Sequence, residues 1–117
     1  MPRNTFEKIL LEAVDEGLSS LGESSRQAIY FHLNEKFNIK KLEIPENIEA
    51  FAGAVENIFG QGASYLETAI MKQLHKKVGQ KDKWHLSSDL TFVEYVSAVQ
   101  RSFRDRNDSG KMTEKVF

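Results

Sequence analysis

Ser20-Leu21-Gly22-Glu23-Ser24-Ser25-Arg26-Gln27-Ala28-Ile29-Tyr30-Phe31-His32-Leu33 lies within the stretch from Leu18 to Gly79 and combines a helix stop, a helix start and an aromatic helix. Gly22 reads as the stop, because a residue that tolerates a left-handed backbone ends a helix cheaply. Ser24 reads as the next N-cap, with Gln27 three residues on reaching back to complete a capping pair. The second helix then runs through Ile29, Leu33 and Phe37 on one face, and Asn38 terminates it.

Upstream, Phe6, Leu10, Ala13, Val14, Gly17, Leu18 and Leu21 fall on one helical stripe, with Lys8, Glu12, Asp15 and Ser19 opposite. This spacing predicts an amphipathic first helix, opened by Asn4 with Glu7. Gly17 costs helix propensity of about 1 kcal/mol relative to alanine, and its place within the apolar stripe suggests that another helix approaches closely there. Downstream, Ile39 to Pro45 reads as a connector, since Pro45 disfavours a helical Ile44. A third helix is expected from Glu46 to Phe59, with Ile48, Phe51, Ala52, Val55, Ile58 and Phe59 inward and Gly60 closing it. A fourth is expected from Gly62 to Val78, burying Leu66, Ala69, Ile70 and Leu74, with Gly79 as its stop.

A polar link, 80–88, leads to Thr91 and Glu94, a further capping box ahead of Phe92, Val96, Val99 and Phe103 with Tyr95 beside them. That fifth helix ends near Arg106, and the polar, glycine-containing residues 107–117 read as a flexible tail. Five amphipathic helices joined by short loops, with no run of alternating strand residues, predict an all-α compact bundle forming one domain over 1–106.

With 117 residues the chain is long enough for one cored domain, and 40 % hydrophobic against 28 % charged residues excludes a wholly disordered chain. The net charge of −1 gives no global attraction to nucleic acid or to an anionic membrane. No cysteine is present, which removes disulfides, thiolate nucleophiles and cysteine-based metal sites. The N-terminus lacks the apolar core of a signal peptide, and no run of about 18 apolar residues occurs anywhere, so a cytoplasmic location without membrane contact is expected.

Catalytic chemistry finds no motif. His32, His75 and His85 stand in no ligand spacing, and His32 and His75 fall away from the centre of their apolar stripes, which is the pattern of ordinary surface or flank histidines. Ser24 and Ser25 are explained by capping. Phe59-Gly60-Gln61-Gly62-Ala63-Ser64 lacks both the lysine and the preceding strand of a phosphate loop, so it reads as a turn between helices. No catalytic, metal-binding or cofactor-binding residue is expected, and no cofactor.

Charge is more suggestive. From Leu42 to Met71 the charged residues are all glutamates, among them Glu49 and Glu56, which gives the third helix an acidic face. Lys72, Lys76, Lys77, Lys81 and Lys83 follow as a basic patch that also suits the helix dipole. The acidic face would repel phosphates, so the third helix is no recognition helix. Phe31 projects away from the stripe of its own helix, and Trp84 stands outside any stripe. With His32, Glu49 and Glu56 they are the candidate contacts for a partner protein.

Ser20-Leu21-Gly22-Glu23-Ser24 with Gln27 to Leu33, then Ile44-Pro45-Glu46, Ile58-Phe59-Gly60 and Gly62-Ala63, resembles the Nitrosopumilus output domain family, fifth type, over residues 6–79. The resemblance implies an all-helical module found alone or appended to archaeal signalling proteins, without an activity or functional residues to transfer. The pattern begins almost at Met1, so a sensor or receiver input is expected to act in trans. The leading expectation is therefore a non-enzymatic helical adaptor or signalling output domain working through protein contacts, with a homodimer as one natural form. One alternative is a nucleic-acid-binding regulator using the lysines at 72–83 with Arg101, Arg104 and Arg106. The other is a small-ligand-binding helical domain with a pocket lined by Tyr30, His32 or Tyr65.

Overall fold

The apolar stripe of the first segment becomes helix α1, Thr5–Ser19, which buries Phe6, Leu10, Ala13, Val14, Gly17 and Leu18. These positions lie three or four apart, so one face of the helix is removed from water while Lys8, Glu12 and Glu16 stay exposed. The computed structural model describes residues 5–78 and 91–103. Asn4, Gly79, the polar link and the tail at 107–117 therefore lie outside the described residues, as do the last residues expected of the fifth helix.

The chain leaves α1 through turn bonds from Leu21 N–H to the Leu18 carbonyl and from Gly22 N–H to the Ser19 carbonyl. Gly22 adopts φ 105°, a backbone region costly for any residue with a Cβ, and from it helix α2, Glu23–Phe37, begins. This corrects the expected start at Ser24. Gly22 itself is the N-cap, no side chain caps this end, and Gln27 Nε2 donates to Glu23 Oε2 at 2.9 Å instead of reaching back to Ser24. With Gly22 in place of Ser24 as the N-cap, the helix opens earlier. At the other end Asn38 is left-handed, as its role of terminator requires, and the N–H groups of Asn38 and Ile39 converge on the Leu33 carbonyl.

The expected connector is more ordered than an extended link. Lys41–Asn47 forms a 3₁₀ segment with Pro45 inside it and Ile44 fully buried. The third helix, α3, consequently spans Ile48–Phe59 and does not start at Glu46. Proline lacks the N–H that continues an α-helix and crowds the residue before it, so the chain takes the tighter turn until Pro45 is past. Inward from α3 point Phe51, Ala52, Ala54 and Val55, and Gly60 closes the helix at φ 59°.

A second short 3₁₀ turn, Gly60–Gly62, shifts the start of α4 to Ala63, so that it spans Ala63–Lys77. Its buried residues are Ala63, Leu66, Ile70, Met71 and Leu74; the expected Ala69 is only half-buried, one position round the helix from the seam. Residues 92–103 are helical. There the capping box is formed reciprocally: the Thr91 N–H donates to Glu94 Oε1 at 3.0 Å and the Glu94 N–H to Thr91 Oγ1 at 3.1 Å.

Every described element is thus a helix or a 3₁₀ turn, with no strand among the described residues, and the all-α class holds. The core is one cluster drawn from α1, α2, the Lys41–Asn47 segment, α3, α4 and the 92–103 helix. Helix α1 lies most extensively against α4. At their crossing a Cβ on Gly17 would stand 2.6 Å from Ile70 Cγ1 and 3.3 Å from the Ile70 nitrogen, which explains a glycine within an apolar stripe. The 92–103 helix is tied in by aromatic pairs, Phe51 with Phe92 at 6.2 Å and Phe6 with Phe103 at 5.8 Å between ring centres. Among the described residues no helix is long and apolar enough to cross a membrane.

Candidate functional site

Outward from this core the polar side chains fall into four groups, and each can be assessed by what already engages it. Where α1, α2 and the 3₁₀ segment meet, Asp15 Oδ1 accepts from Arg26 Nη1 at 2.8 Å and from the Tyr30 hydroxyl at 2.9 Å, with Lys41 Nζ 3.6 Å away. Arg26 reaches on to both carboxylate oxygens of Glu23, and Lys41 stands 5.0 Å over the Tyr30 ring. Partial burial pushes the Asp15 carboxyl upward, but the hydrogen bonds from Tyr30 and Arg26 and the neighbouring cations outweigh it and hold the group below its ordinary value. Burial, and then the bond to Asp15, pushes the Tyr30 phenol up. The cluster is internally satisfied, so its chemistry is that of a clasp holding α2 to α1.

Beside it an open groove of about 590 Å³ is lined by Lys8, Leu11, Glu12, Asp15, Glu16, Lys41 and Leu42. Tyr30, His32 and Tyr65 are not in its walls. Tyr65 is instead 74 % exposed on α4. The groove's charges are largely engaged: Lys77 Nζ bonds to Glu16 Oε2 at 2.9 Å and approaches Glu12 at 3.7 Å, and Asp15 is held in the clasp.

The basic patch is thereby divided. Lys72 and Lys76 are exposed, whereas Lys77 folds back onto α1, where the bond to Glu16 holds its ammonium above the ordinary value. Lys81, Lys83 and Trp84 lie outside the described residues. The acidic glutamates sit as the charge pattern suggests, with Glu49 and Glu56 exposed on α3. Across the α3 to α4 junction Glu67 is half-buried with Oε2 shut off from water and without a hydrogen-bond partner. Burial, and then the charge of Glu56, pushes its carboxyl up.

The fourth group is the outer face of α2. Phe31 is 62 % exposed, and its ring meets the half-buried His32 at 6.1 Å in an edge-on arrangement. The residues one turn away on the same face, Gln27, Ala28, Asn34 and Glu35, are all exposed, and only Glu35 is charged. Phe31 thus stands at the centre of a face whose neighbouring outward positions carry one charge.

The clasp was not legible in the sequence. Asp15 read as a residue of the polar side of its helix and Tyr30 as a candidate pocket wall, and the turn at Gly22 sets them 2.9 Å apart. The one available signal was opposite charge, Asp15 and Arg26, on adjacent helices. Among the described residues no three His, Asp or Glu side chains converge as metal ligands do. No protein family, no curated protein and no solved structure matches the chain.

Proposed function

We propose that the protein is a non-enzymatic helical adaptor or output module that works through protein-protein contact, with the outer face of α2 as its contact surface. The single observation that carries this reading is Phe31: about three-fifths of a large aromatic side chain stays in water on a helix whose neighbouring outward positions are nearly uncharged. Isolated exposed apolar residues are common, but an exposed aromatic amid charge-poor neighbours is the usual anchor of an interface. The archaeal signalling setting belongs to the same proposal and rests on the resemblance of residues 6–79; a cytoplasmic location is proposed with it.

The nucleic-acid alternative loses support from Lys77, whose charge is already committed to Glu16 and Glu12. Two exposed lysines, Lys72 and Lys76, remain on the described part of the patch, against an acidic α3. The small-ligand alternative has the open groove as its location, and the ion pairs along its rim weigh against it.

Capture of bound proteins from the source organism's extract by tagged wild type, Phe31→Ala and Lys72→Glu/Lys76→Glu separates these readings. Loss of the captured proteins with Phe31→Ala alone is the expected result. Equal recovery on all three baits contradicts the assignment of the α2 face, and a salt-sensitive nucleic-acid shift abolished by the lysine variant supports the alternative.

A further inference from the structure

Ser24, Ala28, Phe31 and Glu35 follow one another at spacings of four, three and four residues along α2, and all four are exposed. That alternation is the seam spacing of a coiled coil, in which every such position meets a second helix. Within α2 the inward positions are different ones, Ile29 and Leu33, so the seam is spare after the core is filled. The residues on it are small, small, aromatic and acidic in order.

An antiparallel copy of the same helix complements this order. The midpoint between Ala28 and Phe31 is also the midpoint between Ser24 and Glu35. A single two-fold axis there sets Phe31 of each copy over Ala28 of the other, a large side chain into the space left by a small one. The same axis sets Glu35, the seam's one charge, over Ser24 in the first turn of the opposite helix. That end carries the positive pole of the helix dipole and has no side-chain cap, and the nearby Glu23 charge is neutralised by Arg26. A parallel copy would stack Glu35 on Glu35 and Phe31 on Phe31, with both serines at one end.

We infer that the outer face of α2 binds a second copy of this chain in an antiparallel arrangement, Phe31 against Ala28 and Glu35 against Ser24. The inference rests on the reading of this face as a contact surface and names its occupant. Four seam residues make a small interface, so the dimer is weak and reversible, populated between about 10 µM and 1 mM protein.

Sedimentation equilibrium across that range measures the association, and Phe31→Asp weakens it at least about thirtyfold, the loss expected of a central anchor. Circular dichroism of the variant checks that the helices persist. Register is read by disulfide trapping in a chain with no native cysteine. Ser24→Cys mixed with Glu35→Cys couples under mild oxidation, whereas neither couples with itself, because like positions lie about 16 Å apart along the antiparallel pair. Self-coupling of Ser24→Cys indicates parallel pairing and overturns the inference, as does a dimer indifferent to Phe31→Asp. A chain monomeric throughout also overturns it. If foreign proteins are still captured through Phe31 in that case, the reading of the face survives and only its occupant is wrong. Failure of both measurements removes the reading as well.

Discussion

At the scale of single residues, Gly17 and Glu67 show opposite uses of close packing. Gly17→Ala gains helix propensity of about 1 kcal/mol but drives a methyl to within 2.6 Å of Ile70 Cγ1, and Ile70 is fully buried with its backbone nitrogen 3.3 Å from the same point. The side chain has nowhere to turn and the backbone must shift, which costs about 1 to 3 kcal/mol. Chemical denaturation should show Gly17→Ala less stable by about 1 kcal/mol, the difference between a clash of about 2 kcal/mol and the propensity gain. Glu67 carries a penalty of the other kind, a charge brought partly out of water beside Glu56. Its folded-state pKa is raised, so the protonated form is favoured by folding: the penalty is absent at pH below the ordinary carboxyl range and grows as pH rises through the raised value. Glu67→Gln should therefore raise the melting temperature at pH 7 and change it far less near pH 4. Paired thermal melts at the two pH values check the sign.

At the scale of elements, what the sequence disclosed depended on whether the controlling interaction was local. The capping box at Thr91 and Glu94 was legible because both partners lie within one turn, and it forms in both directions. Thr91→Ala should cost about 1 kcal/mol, read as a lower denaturant midpoint with an unchanged slope. Asn38 and Gly60 were legible as stops for the same reason, each adopting the left-handed backbone that its residue type permits. Ser24 was misread because a serine before a helical run is a cap only if the turn ahead of it leaves it there, and Gly22 opens the helix first. Glu46 was misread as a helix start because a proline-containing stretch was equated with an extended connector. Buried Ile44 instead pins it as a 3₁₀ turn against the core.

At the scale of the whole molecule, apolar periodicity sufficed for the class and for most of the core, since Leu10, Leu18, Leu33, Phe51, Val55, Leu66, Ile70 and Leu74 are all buried where their stripes require. Arrangement was less legible: that α1 leans on α4 was signalled only by Gly17, and the clasp of Asp15, Arg26, Tyr30 and Lys41 joins three elements whose register no local spacing encodes. The candidate surface stood out for a simpler reason. Phe31 broke the pattern of its own helix, and it remains exposed after every other large aromatic of the described core has been wholly or partly covered except Tyr65. Assembly through α2 must change the environment of that one ring more than any other. Hydroxyl-radical footprinting of the Phe31 side chain, in dilute isolated protein and again in concentrated protein or source extract, measures that change directly. Strong protection of Phe31 in the second condition, with Lys72 and Lys76 unaffected, is the predicted result; unchanged oxidation of Phe31 while the α4 lysines become protected would contradict the account.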